Sequence, residues 1–198
     1  MGLREFLKRL FQKEPLLANK KRLEVNEDEK DKKRKSMPED KKETKKVALS
    51  ACLYGVECRY DATDNKNVKL LNMLYSNGYE IALFCPEDSC FGTPRPTMDL
   101  VDTEDGIKAI SNLTGGDLTP HIEEYAKLFF ETNGEIELFI GKDRSPSCGV
   151  KSAKIYSRDG KLLKEDGTGV MARCAKEHCK IVVDANKYLQ TGDSEEFL

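Results

Sequence analysis

Short apolar runs alternate with helix-period segments along most of this chain, and that alternation limits the fold more than any other feature. Val47–Ala51, Tyr79–Phe84, Glu135–Ile140 and Lys180–Val183 have strand length and are bounded by charge, glycine or turn residues. Between them, residues 66–76 place Val68, Leu71, Leu74 and Tyr75 at helical spacing and stop at Asn77-Gly78. Residues 119–130 open with Thr119 as N-cap, Pro120 at the first helical position and Glu123 near the third. A further helix is expected over 167–178, and Lys154-Ile155-Tyr156 reads as a short strand before the Asp159-Gly160 turn. Residues from Cys85 to about Pro96 are rich in turn formers and read as a loop. Strands alternating with helices predict an α/β fold, a Rossmann-like parallel sheet flanked by helices.

The alternation begins abruptly after Lys46, so the chain divides into 1–46 and 47–198. The formal net charge of the whole is -2, but the first part carries a net +6 and the second a net -8. An acidic body of this kind lacks the basic face that bulk gripping of nucleic acid requires. Residues 2–12 hold Leu3, Phe6, Leu7, Leu10 and Phe11 at helical spacing. They are expected to form a short amphipathic helix, a candidate for weak membrane-surface or protein contact. Residues 18–46 are mixed charge with almost no apolar content and read as a disordered linker. Its basic tract Lys32-Lys33-Arg34-Lys35 leaves RNA contact open, with a solvated tether as the plainer reading. No run approaches the roughly 18 apolar residues of a membrane span. The N-terminus also lacks the apolar core and cleavage site of a secretory signal, so a cytoplasmic location is expected.

All seven cysteines lie in the second part: Cys52, Cys58, Cys85, Cys90, Cys148, Cys174 and Cys179. In a reducing compartment they read as ligands, nucleophiles or buried apolar residues. Parallel sheets bind ligands at the carboxyl ends of their strands. Cys52 follows the first predicted strand, Cys85 the second, and Cys148 lies in the loop after the third, so all three are expected at one sheet edge. Their contexts, SACLYGVECRYD, CPEDSCFGTPRP and GKDRSPSCGVKS, carry Gly, Pro or both, with Arg59, Arg95 and Arg144 nearby to stabilise thiolates. The paired C-x2-C units of a zinc ribbon are absent, as are a thioredoxin-type C-x-x-C, a Walker A loop and the dinucleotide glycine fingerprint. Cys174 and Cys179 read as helix-borne apolar residues, and His178 as a helix-end cap. What remains is a group held by three thiolates from separate loops, and at this level a three-thiolate zinc site and an iron–sulfur cluster stay equally open.

The motifs resemble those of domain-of-unknown-function family 523, whose characterised members are thiouracil desulfidases. The matching text is Ser50-Ala-Cys-Leu-Tyr-Gly55, Cys58-Arg-Tyr-Asp61, Cys85-Pro-Glu87, Gly92-Thr-Pro-Arg-Pro96, Lys142 through Ser145-Pro-Ser-Cys-Gly149, and Gly167-Thr-Gly-Val170. It spans about residues 47–186 in the family's order. The resemblance implies a [4Fe-4S] cluster held by Cys52, Cys85 and Cys148, with the fourth iron free to capture the sulfur of a thiolated pyrimidine. Water then replaces that sulfur without net redox change. On this reading Glu87 and Ser147 are candidates for proton handling, with Asp61 a further one. Arg59, Tyr60, Asp61 and Arg95 are candidates for holding the base. The plainer alternatives are a Glu87–Arg95 salt bridge and a turn hydroxyl for Ser147. The sequence departs from the family after Cys85, where Asp88-Ser-Cys-Phe-Gly-Thr93 replaces a double-glycine loop, which makes Cys90 a rival ligand. Cys58 is the other rival. The substrate implied is a small thiolated nucleobase or nucleoside. Two readings of other classes remain beside the desulfidase: a cluster-free sulfurtransferase carrying a persulfide on Cys148, and a non-enzymatic metal-binding module.

Overall fold

The computed structural model describes residues 45–192. The expected helix at 2–12, the linker up to residue 44 and the basic tract at 32–35 lie outside the described residues. In chain order the first elements are β1 (Lys46–Ser50), α1 (Ala51–Tyr54), α2 (Val68–Ser76), β2 (Glu80–Phe84), α3 (Pro86–Phe91), β3 (Met98–Thr103) and β4 (Gly106–Ser111). They are followed by α4 (Thr119–Asn133), β5 (Ile136–Gly141), β6 (Ala153–Tyr156), β7 (Leu162–Gly167), α5 (Val170–Ala175), β8 (Cys179–Asp184) and α6 (Ala185–Thr191).

The expected parallel sheet is present, with strands in the order β2-β1-β5-β8 and every pairing parallel. Because side chains alternate along a strand, the sheet feeds two cores. Val47, Leu49, Leu138 and Ile140 pack with Leu71, Leu74 and Tyr188 from α2 and α6. Ala48, Phe84 and Phe139 face the other way, onto Phe129 of α4 and Met171 of α5. There Phe84 stacks on Phe139 at 4.8 Å and meets Phe129 edge-on at 5.7 Å. Each such pair is worth about 0.5–1.5 kcal/mol beyond its buried area.

Several sequence expectations shift in detail. β6 does not extend the parallel sheet; it belongs to a second sheet of order β4-β3-β6-β7, whose hairpins β3–β4 and β6–β7 are antiparallel. Leu100, Ala109, Ala153 and Ile155 of this sheet join the α4-side core. The β3–β4 hairpin and β7 were not anticipated: β7 is exposed over Leu162–Asp166 and shows no apolar alternation. The expected loop after Cys85 contains α3, opened by Pro86 at its first position. The helix expected over 167–178 is confined to 170–175, because Gly167 ends β7. α2 buries Leu70, Leu71 and Leu74, while Val68 and Tyr75 of the expected stripe are exposed; the Asn67 side chain caps it by accepting from the Leu70 amide. α4 starts where expected, but Leu118 is its N-cap. The Thr119 hydroxyl accepts instead from the Ala109 amide of β4 at 2.8 Å. Cys179 lies on β8 rather than on a helix, and both it and Cys174 are partly buried against the α4-side core. The His178 ring stacks on Phe130 at 4.5 Å.

Candidate active site

The strands carrying the three cysteines are direct neighbours, β2, β1 and β5. The chain leaves β1 toward β2 on one side and later returns to β5 on the other, so a topological switch point lies between β1 and β5, where parallel sheets open a crevice. Cys52 sits in the first turn of α1, directly after β1. The Ser50 hydroxyl accepts from the Lys142 amide at 3.0 Å and ties the end of β1 to the end of β5. Cys85 closes β2 and caps α3, its Sγ accepting from the Asp88 amide at 3.4 Å. Its own amide donates to the hydroxyl of buried Tyr125. Cys148 rides on the loop after β5. The Ser145 hydroxyl accepts from the amides of Ser147 and Cys148 at 3.2 and 3.1 Å. Two glycines let this loop seat closely: a Cβ on Gly141 would run into the Cys148 carbonyl, and one on Gly169 into the Ser147 carbonyl. Behind the loop, buried Asp184 accepts from the Val150 amide (2.8 Å), the Lys151 amide (2.9 Å) and the Ser152 hydroxyl (2.9 Å).

These ends enclose a cavity of about 210 Å³ whose lining includes Cys52, Cys58, Cys85 and Cys148. Around them stand Arg59, Tyr60, Glu87, Arg95, Lys142, Arg144 and Ser145. The thiols differ electrostatically. A hydrogen bond from Cys58 holds Cys52 below the usual thiol range, helped by the charges of Lys142 and Arg59. Burial pushes Cys148 well up, and the charges of Glu87, Cys85 and Cys52 add to it. Cys58 is raised by its hydrogen bonds to Cys52 and Cys85. Among the described residues no three His, Cys, Asp or Glu side chains converge on a single point as one metal ion would need. The thiols instead border a space.

A family model described as 2-thiouracil desulfurase matches residues 47–187, a span that contains every one of these cavity residues. The chain belongs to that family. It is 30% identical over 149 residues to the uncharacterized protein YbbK of Bacillus subtilis (strain 168), covering 71% of this chain and 96% of that one. Among solved structures it is similar to the [4Fe-4S]-dependent thiouracil desulfidase TudS. The TM-score is 0.56 at 26% identity, covering 74% of this chain and 94% of that one. Among the described residues of this desulfurase-family chain, no helix is long and apolar enough to cross a membrane.

The desulfurase-family cavity gathers some of the expected residues and leaves others out. Glu87 lines it and is paired with Arg95, Oε2 lying 3.1 Å from Nη2. Arg95 is buried, and its Nη1 also donates to the carbonyls of Cys58 and Gly92 (3.0 Å each) and to the Thr93 hydroxyl (2.9 Å). Its side chain is thereby spent on fixing Glu87 and the Cys58 segment. Arg59 and Tyr60 line the mouth, the guanidinium 5.7 Å from the ring centroid, with Tyr60 43% exposed. Asp61 is exposed outside the lining and is bound up with Thr63, whose hydroxyl holds its carboxyl below the usual range. Ser147 is fully buried, with Oγ 4.0 Å from Met98 Sδ, and does not border the cavity. Ser145, two residues earlier, does, and its hydroxyl lies 3.4 Å from Glu87 Oε1. Cys90 lies outside the lining, its Sγ on the His121 carbonyl, and burial pushes its thiol up to about 12. Sequence reasoning did not assign roles to Lys142, Ser145 or Asp184. The first two stood inside a quoted motif. The only sign for Asp184 was its place at the carboxyl end of a parallel strand.

Proposed function

We propose that this chain is a cluster-dependent desulfidase that replaces the sulfur of a small thiolated pyrimidine, a base or nucleoside, by the oxygen of water. The observation that carries the reading is the meeting of Cys52, Cys85 and Cys148 from three adjacent strand ends around one cavity. The donor set fits an iron–sulfur group: soft thiols, cations beside Cys52, and glycines that leave the Cys148 loop no side chain to displace. When bound by three cysteines, a [4Fe-4S] cluster supplies one sulfur-seeking iron free of protein thiolate.

The remaining chemistry falls to the chain's own side chains. In the overall reaction a carbon–sulfur bond breaks, a carbon–oxygen bond forms, the sulfur leaves as sulfide, and no electrons are exchanged. Water needs a base, and Glu87 is the carboxylate at the cavity wall, held in one orientation by Arg95 and touched by the Ser145 hydroxyl. Ser145 takes the proton-relay part first considered for Ser147, because its hydroxyl borders the cavity. Tyr60 offers its ring to the pyrimidine at the mouth, with Arg59 beside it. The activity is assigned to 47–198, and the setting to the reducing cytoplasm, since all seven cysteines are free thiols.

The test is anaerobic purification with iron and sulfide analysis, followed by turnover of 2-thiouracil and 4-thiouridine. The expected protein is brown, carries a cluster and releases sulfide. Single replacement of Cys52, Cys85 or Cys148 by Ala abolishes both properties, whereas Cys174→Ala retains them. A protein that stays colourless after reconstitution sinks the reading, and sulfur transfer by that colourless form would establish the persulfide alternative.

A further inference from the structure

Four thiols, not three, border the cavity, and the fourth has a geometry of its own. We propose that Cys58 serves the site as a thiol hydrogen-bond donor to Cys52 and Cys85, and not as a ligand. The inference rests on the reading that Cys52, Cys85 and Cys148 hold a cluster.

Cys58 is 2% exposed and stands in hydrogen-bond contact with Cys52 on one side and Cys85 on the other. Sulfurs that bind separate irons of one cluster occupy separate corners around it. A residue within S–H···S reach of two of them sits in the wall between those corners rather than at a further corner. The main chain fixes it there. Its amide donates to the Val56 carbonyl at 2.8 Å, and its carbonyl accepts from Arg95 Nη1 at 3.0 Å. Arg95 is itself buried and tied to Glu87, Gly92 and Thr93, so the Cys58 segment cannot swing freely. A buried S–H seeks an acceptor, and the acceptors within its reach are the Cys52 and Cys85 sulfurs. Hydrogen bonds to ligand sulfurs favour the more negatively charged, reduced state of a cluster and so raise its reduction potential. They also spread the negative charge of thiolates held in a low-dielectric cavity. Cys58 is therefore a positioning and tuning residue for the two ligands it touches.

The experiment compares Cys58→Ala, Cys58→Val and Cys58→Ser with the wild-type chain. Iron and sulfide per chain are measured anaerobically, and the midpoint potential by spectroelectrochemistry. All three variants are expected to keep wild-type iron. The Ala and Val forms, which lack a donor, shift the potential negative, and the Ser form, which keeps an O–H, recovers it toward wild type. An unchanged potential in Ala and Val makes Cys58 a packing thiol and overturns the proposal. Loss of iron in Ala, Val and Ser alike makes it a ligand and overturns it too. A wild-type chain without iron fails differently, since it removes the cluster reading itself.

Discussion

Asp184 is the most informative residue to perturb, because it lies outside the cavity lining yet holds the loop that delivers Cys148. It begins α6 but does not cap it; the carboxylate crosses to the loop and accepts three hydrogen bonds of 2.8–2.9 Å. Replacement by Ala strands the Val150 amide, which is buried, at about 1–3 kcal/mol. The Lys151 amide and the Ser152 hydroxyl are less buried and rehydrate, at about 0.5–1.5 kcal/mol each. The sum is about 4 kcal/mol, a large share of the ~5–15 kcal/mol that holds a domain of this size. Asp184→Asn keeps one acceptor oxygen and loses about half as much. With a urea slope of about 2 kcal/mol per molar, the midpoint falls by about 2 M for Ala and about 1 M for Asn. Equilibrium urea unfolding of the iron-free chain measures this. Val150 is two residues from Cys148, so iron per chain after reconstitution is expected to fall in the same order. A midpoint within about 0.2 M of wild type for Asp184→Asn refutes the anchoring argument. Lowered stability with undiminished iron retains the anchor but refutes its link to Cys148.

Three further perturbations test other parts of the site. Gly141→Ala drives a Cβ into the Cys148 carbonyl and is expected to cost about 1–3 kcal/mol in urea unfolding and to deplete iron; undiminished iron contradicts it. In the iron-free chain, Cys52 has its pKa lowered by the Cys58 hydrogen bond, so it keeps thiolate as pH falls toward neutrality. Cys90 and Cys179, each pushed up to about 12 by burial, remain protonated. Iodoacetamide mapping by mass spectrometry should therefore find Cys52 modified before either of them, and the reverse order would refute the electrostatic reading. Glu87→Gln is expected to retain iron while turnover drops about 10²–10⁴-fold, as loss of a general base does, and unchanged turnover would remove Glu87 from proton handling.

The parts of this fold that were legible in the sequence are those where one physical requirement dominates. A strand buried on both faces needs a continuous apolar run, and Val47–Leu49 and Leu138–Ile140 supply one; both segments became central strands. The cysteine placements followed, because each lies at the end of such a run. β7 was not legible because Leu162–Asp166 is exposed, so no apolar pattern is required of it. Its pairing comes from β6 across the Asp159-Gly160 turn. The second sheet as a whole was hidden for a related reason. Its antiparallel hairpins bury mainly one face, and short runs such as Lys154–Tyr156 carry too little signal to say which sheet they join. At the site, Ser145 and Ser147 are indistinguishable by spacing. Only the turn of the loop sends one hydroxyl toward Glu87 and the other toward Met98.

The acidic balance of residues 47–198 describes the surface, whereas the cavity follows a local rule. Lys142 and Arg59 act on Cys52, and Arg95 is spent on Glu87, so the cations are concentrated on the β1 side of the crevice. Cys148 faces Glu87 across a buried environment and is left the more reluctant thiol to ionise. A group that demands three thiolates must therefore overcome its largest deprotonation cost at Cys148. That is also the cysteine whose loop is held most heavily, by Ser145 from within, by Asp184 from behind and by the close approach of Gly141 and Gly169. Rigid placement of the least acidic thiol removes the conformational part of the cost of binding there, leaving the proton as the principal cost. The glycine-bounded loop and the distant carboxylate are thus parts of the same electrostatic arrangement as the cations beside Cys52.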